Sequence, residues 1–357
     1  MSRAQRATRF TGLLASVLLL AGGVAACGSA DSGTGSGPAS AGTGKNAAAT
    51  AFPVTIQHKY GSTTVKSEPK RIVTVGLTDQ DAVLALGTVP VGTTEWIGGY
   101  PGAIGPWAQS KLGGAAVPTV LKDTGTGPQT EKIAALRPDL ILALYSGLTK
   151  AQYDTLSKFA PVVAQPKEFN DFGIPWQQQT ETIGKALGKQ AEAKTLVDGV
   201  KSVFSAAGKQ HPEFARTTAV MATPYEGTFV YGSQDARSRL LAGLGLTLPT
   251  GLDKVIGDSF GANISKERTD LLDQGVAVWI VPDTTGAVTK LHSDKLYGDL
   301  NVVKQGREVF IKETSDYGNA VSLSTVLSIP YVLERLVPQL AAAVDGKPDT
   351  KVGQPAS

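Results

Sequence analysis

Cysteine is all but missing from this chain. Cys27 is the only one among 357 residues, so the sequence beyond it has no disulfide, thiolate metal site or cysteine nucleophile. Histidine is almost as scarce, with His58, His211 and His292 the whole supply. Zinc prefers imidazole ligands, and these positions do not obviously converge, which argues against a bare-metal site. No apolar run reaches the length of about 20 residues that a spanning helix requires. The run from Leu13 to Leu20 is well short of it. Charge of one sign is missing too. The formal net charge is +3, and Arg3, Arg6 and Arg9 supply all of it. The remainder is balanced, so nothing points to nucleic acid.

What the N-terminus does contain is ordered. Three arginines precede the apolar run, and small residues from Ala21 to Ala26 lead to Cys27. That is the layout of a cleaved export signal. Val24-Ala25-Ala26-Cys27 resembles the lipobox of bacterial lipoproteins, with Val24 where Leu is usual. The resemblance implies removal of residues 1–26, a diacylglycerol-modified Cys27 as the new N-terminus, and a protein anchored by lipid on the outer face of the cell membrane. From Gly28 to Ala51 the chain is almost wholly Gly, Ser, Ala and Thr. Residues 27–52 therefore read as the acylated cysteine and a flexible tether, with a coil dimension of roughly 25–30 Å.

The stretch from about Phe52 to Val344, close to 290 residues, exceeds what one compact core usually holds, so two lobes are expected. Arg71 to Val75 reads as a buried strand, followed by a helix from Asp79 to Leu86 capped by Thr78 and stopped at Gly87. Pro90 to Thr93 is a further strand, Thr130 to Leu136 a helix and Leu140 to Leu144 another strand. The second half repeats the grammar. Thr218 to Met221 and Val276 to Val281 read as strands, Arg237 to Ala242 as a helix, and Ser265 as the cap of a helix running to Asp273.

Between the halves, Pro175 opens a helix to Leu187 that breaks at Gly188. A second helix follows from Lys189, with Leu196, Val197, Val200, Val203 and Phe204 at helical spacing. About 20 residues make a rod of roughly 30 Å. The expected fold is α/β, with two Rossmann-like lobes over residues 53–188 and 211–345. A long rigid helix over 189–210 joins them, a cleft lies between them, and residues 346–357 form a tail.

The chain resembles the iron-siderophore substrate-binding lipoproteins of ABC importers, the helical-linker class of periplasmic binding proteins. The likeness is carried by Pro53-Val54-Thr55-Ile56 with His58, Tyr60 and Gly61, by Pro69 to Gly76, by Asp81 to Gly87 with Pro90-Val91-Gly92, by Ile133 to Ile141, and by Ser328 to Leu333. It implies binding of a ferric siderophore outside the membrane and delivery to an ABC permease and, through it, an ATPase. It also implies no catalysis and no resident cofactor; a monomer is expected. In this family one surface glutamate per lobe engages the permease, and the matching positions are Glu131 and Glu267. Each reads as the head of a helix, where the dipole favours a carboxylate that can pair with arginine.

Open α/β sheets bind ligands beyond the C-terminal ends of their strands. That directs attention to Trp96, Tyr100, Tyr145, Tyr225, Tyr231, Arg237, Arg239 and Tyr317. A ferric siderophore arrives coordinatively complete, so the site needs aromatic faces and a few cations rather than metal ligands. Arg237 leads this group because its loop, Tyr231 to Asp235, matches one that carries a ligand-binding arginine in some relatives. Those relatives often have Trp where Asp235 stands. Trp176 and Trp279, at a helix start and inside an apolar strand, read as core.

Two other readings are open. Haem or cobalamin would also suit an aromatic cleft between lobes. Gly257-Asp258-Ser259-Phe260-Gly261 satisfies the G-x-S-x-G string of serine hydrolases, which requires a strand before Ser259 and a helix directly after it. Val255-Ile256 makes a weak strand and the next helix begins only near Ser265, which favours a loop.

Overall fold

Two open five-stranded sheets organise residues 52–122 and 127–355, the residues that the computed structural model describes. The export signal, Cys27 and nearly all of the tether lie outside the described residues. The chain enters through a hairpin of β1 (Val54–His58) and β2 (Gly61–Val65). The first lobe continues with β3 (Ile72–Thr74), α1 (Asp79–Ala85), β4 (Gly92–Glu95), β5 (Thr119–Lys122), α2 (Thr130–Ala135), β6 (Leu140–Ala143), α3 (Lys150–Leu156), β7 (Val162–Ala164) and α4 (Trp176–Ala186). Its sheet has the order β5-β4-β3-β6-β7 and every pairing is parallel. A parallel sheet covered on both faces needs unbroken apolar strands. Ile72, Val73 and Leu140 to Ala143 meet that need and are all fully buried.

α5 (Gln190–Gln210) follows as the 21-residue rod between the lobes. It packs against α4 at Gly184, where an added Cβ would lie 2.3 Å from the Cβ of Ala193. Val197, Val200 and Phe204 face the core; Val203, expected on that stripe, points outward.

The second lobe contains β8 (Ala219–Thr223), β9 (Thr228–Tyr231), α6 (Ala236–Gly243), α7 (Leu252–Ile256), β10 (Gly261–Ile264), β11 (Val276–Val281), α8 (Gly286–Ser293), α9 (Lys295–Gly298), α10 (Asn301–Lys304), β12 (Glu308–Lys312), α11 (Asp316–Leu323) and α12 (Ser328–Ala343). Its order is β10-β9-β8-β11-β12. β8, β11 and β12 are parallel, whereas β9 runs antiparallel to both its neighbours. This lobe is therefore a mixed sheet and not a second wholly parallel one.

Three local expectations are corrected. Thr78 does not cap α1 with its side chain; its hydroxyl accepts instead from Gln179 Nε2 at 2.8 Å. Val255 and Ile256 belong to α7 rather than to a strand, so Ser259 follows a helix and precedes β10, the reverse of a nucleophile elbow. Lys266–Leu272 is a 3-10 segment interrupted at Arg268, without a Ser265 side-chain cap.

Candidate ligand-binding site

The first wall of the site is aimed by a buried carboxylate. Asp79, at the start of α1, accepts from Leu144 N at 2.8 Å, Tyr145 N at 3.1 Å and Gln179 Nε2 at 2.6 Å. Its carboxylate folds back over Gly76, where a Cβ would come within 2.1 Å of Oδ2. Burial pushes the Asp79 carboxyl above its ordinary range, and these donors oppose the shift. The result is a fixed exit from β6, with Tyr145 buried and its ring 5.7 Å from that of Phe172.

The second lobe supplies the opposite wall. Asp235 caps α6, its Oδ1 accepting from Arg237 N at 2.8 Å. The same carboxylate takes Arg237 Nε and Nη2, each at 3.0 Å. The guanidinium carbon lies 4.0 Å from the centre of the Tyr231 ring, a cation-π stack. Burial pushes the Asp235 carboxyl up, and the guanidinium opposes it. Tyr145 comes within electrostatic reach of Asp235, Arg237, Arg239 and Tyr231, and burial pushes its hydroxyl pKa up.

The lobes also touch directly. Arg239 Nη1 donates to Gly173 O at 2.8 Å, and Asn170 Nδ2 to Asp258 O at 2.8 Å. At a separate contact Tyr100 donates to Asp316 Oδ1 at 2.7 Å and accepts from Asn319 Nδ2 at 2.8 Å. Nearby, Asp81 on α1 accepts from Trp107 Nε1 at 2.8 Å and from the Thr325 hydroxyl just before α12. Burial pushes the Asp81 carboxyl up to about 6.

Of the residues singled out from sequence, Tyr145, Tyr231, Arg237 and Arg239 come together between the lobes, and Tyr100 bridges them at the second contact. Trp96, just past β4, is more than a third exposed, and Tyr225, beyond β8, is 61% exposed. Among the described residues neither has an aromatic partner. Tyr317 is buried and its hydroxyl is spent on Gln339 of α12 at 2.9 Å. Glu131 and Glu267 are both exposed, on the first turn of α2 and of the 3-10 segment respectively.

A cavity of about 230 Å³ opens at the C-terminal ends of the first sheet, lined by Val75, Leu77, Thr94, Ile133, Ser146 and Phe172. Phe172 joins this cavity to Tyr145, and sequence reasoning passed it over. It sits in a loop at φ 61°, a conformation with no side-chain signature in Phe. Asp235 was legible as a helix cap, since Asp before a helix start is a favoured pattern; its grip on Arg237 was not.

The histidines are dispersed. His58 bonds Thr63, His211 bonds Glu213 and His292 bonds Glu308. Among the described residues no group of three or more acidic, histidine or cysteine side chains could hold a metal ion. Trp279 is fully buried and donates to Tyr297, a core role.

The family model described as "Periplasmic binding protein" matches residues 72–314. The Fe(3+) dicitrate-binding periplasmic protein of Escherichia coli (strain K12) is 30% identical over 57% of this chain and 64% of its own, so the match spans just under two thirds of that relative. A periplasmic solute binding protein of Mycobacterium smegmatis superposes with a TM-score of 0.70 at 34% identity, covering 82% of this chain and 98% of the other. PiaA of Streptococcus pneumoniae, solved in complex with ferrichrome, gives 0.73 at 29% identity, covering 82% and 99%.

Proposed function

The chain belongs to the periplasmic binding protein family, and on that premise we propose that it binds a ferric siderophore outside the cytoplasmic membrane and delivers it to an ABC importer. The observation that carries this reading is the contact of the two lobes where Arg239 donates to Gly173 O, beside the Tyr145–Phe172 ring pair of one lobe and the Tyr231–Arg237 stack of the other. Aromatic faces and cations suit the organic shell of a complete iron complex, which needs no ligand from the protein. The relatives' names support the choice of cargo, since one is described as binding Fe(3+) dicitrate and another was solved with ferrichrome.

Delivery would use the exposed Glu131 and Glu267, one on each lobe, as anchors for permease arginines. The lipid on Cys27 would keep the lobes near the membrane on a short tether, raising their effective concentration at the permease. In this reading the protein carries and does not catalyse, and acts as a monomer without a resident cofactor.

Titration of the protein with ferric hydroxamate, ferric catecholate and ferric citrate complexes, followed by tryptophan fluorescence, tests the reading. Saturable quenching by at least one of them is expected. No response to any, with saturation by haem or cobalamin instead, would transfer the cargo to a planar macrocycle.

A further inference from the structure

Arg237 reaches the site already neutralised. Two of its guanidinium nitrogens are held by Asp235, whose own side chain is 1% exposed. Three N–H donors converge on that carboxylate, two from the guanidinium and one from the Arg237 backbone, which favours its ionised form. Among the described residues Nη1 takes no hydrogen-bond partner, so Arg237 keeps donors to offer while its charge is cancelled.

Arg239 is the second cation, and it spends Nη1 on Gly173 O. Asp253 of α7 accepts from Ser233 N at 2.9 Å, which places a second carboxylate against the loop that carries the arginines. Asp253 is exposed and among the described residues bonds neither arginine, so Arg237 is matched by Asp235 while Arg239 keeps its charge. Glu313 also acts on Tyr231, although from an exposed position. A site built to attract a multiply charged anion would leave its cations uncompensated, because a desolvated like-charge contact is costly and an uncompensated opposite charge is rewarded.

We infer that Asp235 is a specificity-determining residue that cancels the charge of Arg237 and leaves this wall of the cleft with little more than the single charge of Arg239. The preferred ligand class is then a ferric complex of no net charge, of the tris-hydroxamate type, over multiply anionic citrate or catecholate complexes. This rests on the ferric-siderophore reading above. Arg237 acts as a hydrogen-bond donor to carbonyl or hydroxamate oxygens, and the faces of Tyr145, Tyr231 and Phe172 meet the organic shell. An incoming anion would have to face the buried Asp235 carboxylate or displace Arg237 from it.

The test compares the full chain and Asp235→Asn in titrations with ferrichrome, a neutral tris-hydroxamate, and ferric dicitrate, an anion. Asn preserves the α6 cap, and the circular dichroism melt checks that it does. The wild type is expected to bind ferrichrome at least about tenfold more tightly than ferric dicitrate, and Asp235→Asn to narrow that ratio by about tenfold or more through tighter dicitrate binding. Asp235→Asn combined with Arg237→Gln removes both charges and should restore the preference for the neutral complex, though with weaker binding. Tighter binding of dicitrate by the wild type, or a ratio unmoved by Asp235→Asn, overturns the inference while leaving the carrier function standing. Absence of binding to either complex by the wild type overturns the inference, and the carrier reading falls with it when ferric catecholates also fail to bind.

Discussion

Tyr100 and Asp316, more than 200 residues apart, are joined across the two lobes by a hydrogen bond of 2.7 Å. Asn319, on the same face of α11, donates back to the Tyr100 oxygen. The hydroxyl is thus a bridge between lobes, and burial together with Asp316 keeps it protonated by pushing its pKa up.

Tyr100→Phe should remove the bridge and keep the ring that packs edge-on against Trp107. A lost hydrogen bond of this kind contributes about 1 kcal/mol, so ligand release should quicken by roughly fivefold with little change in fold stability. Stopped-flow dissociation checks this. An unchanged release rate would mean that this contact between the lobes does not restrain the ligand.

Asp81 sets a pH dependence. Its folded carboxyl is raised to about 6 by burial, above the unfolded value near 3.8, so the native state binds its proton first. Its contribution to stability therefore improves as pH falls through 6 towards 4, and ionisation above 6 costs on the order of 3 kcal/mol. Asp81→Asn should be the more stable protein at pH 7, with the gap closing by pH 4. Melting temperatures of both proteins across that range check it, and a gap independent of pH would contradict it.

Gly184→Ala probes the joint between α4 and the spine. The new methyl would meet Ala193 at 2.3 Å, with the Lys189 carbonyl at 3.0 Å, so the helices must part. Overpacking of this sort costs about 1–3 kcal/mol, readable as a lower urea midpoint.

Glu131→Arg with Glu267→Arg should leave ligand affinity unchanged, because both side chains are exposed on the first turns of their segments. Uptake of labelled iron by cells carrying the double variant should fall to the level of a deletion. Normal uptake would remove these residues from the docking role.

Much of the fold was legible in the sequence because it rests on periodicity. The fully apolar β6 and β11 announce strands buried on both faces, and the breaks at Gly87 and Gly188 mark helix ends with φ of 74° and 70°. Short segments misled. Val255 and Ile256 lie within a five-residue helix, too brief for a period, and Thr78 looks like a cap until Gln179, a hundred residues away, claims its hydroxyl. The site was half legible for the same reason. Tyr145, Tyr231 and Arg237 stand at strand ends and helix starts, which sequence can locate. Phe172, the Asp79 brace and the Asp235 grip depend on which loops meet, and no local pattern encodes that.

Native mass spectrometry of the protein purified from its own host under iron limitation tests the central claim most directly. The account predicts one adduct per chain, with an iron isotope signature and the mass of a complete ferric siderophore. An adduct with the mass of haem or a corrinoid, or bare protein in every preparation, would contradict it.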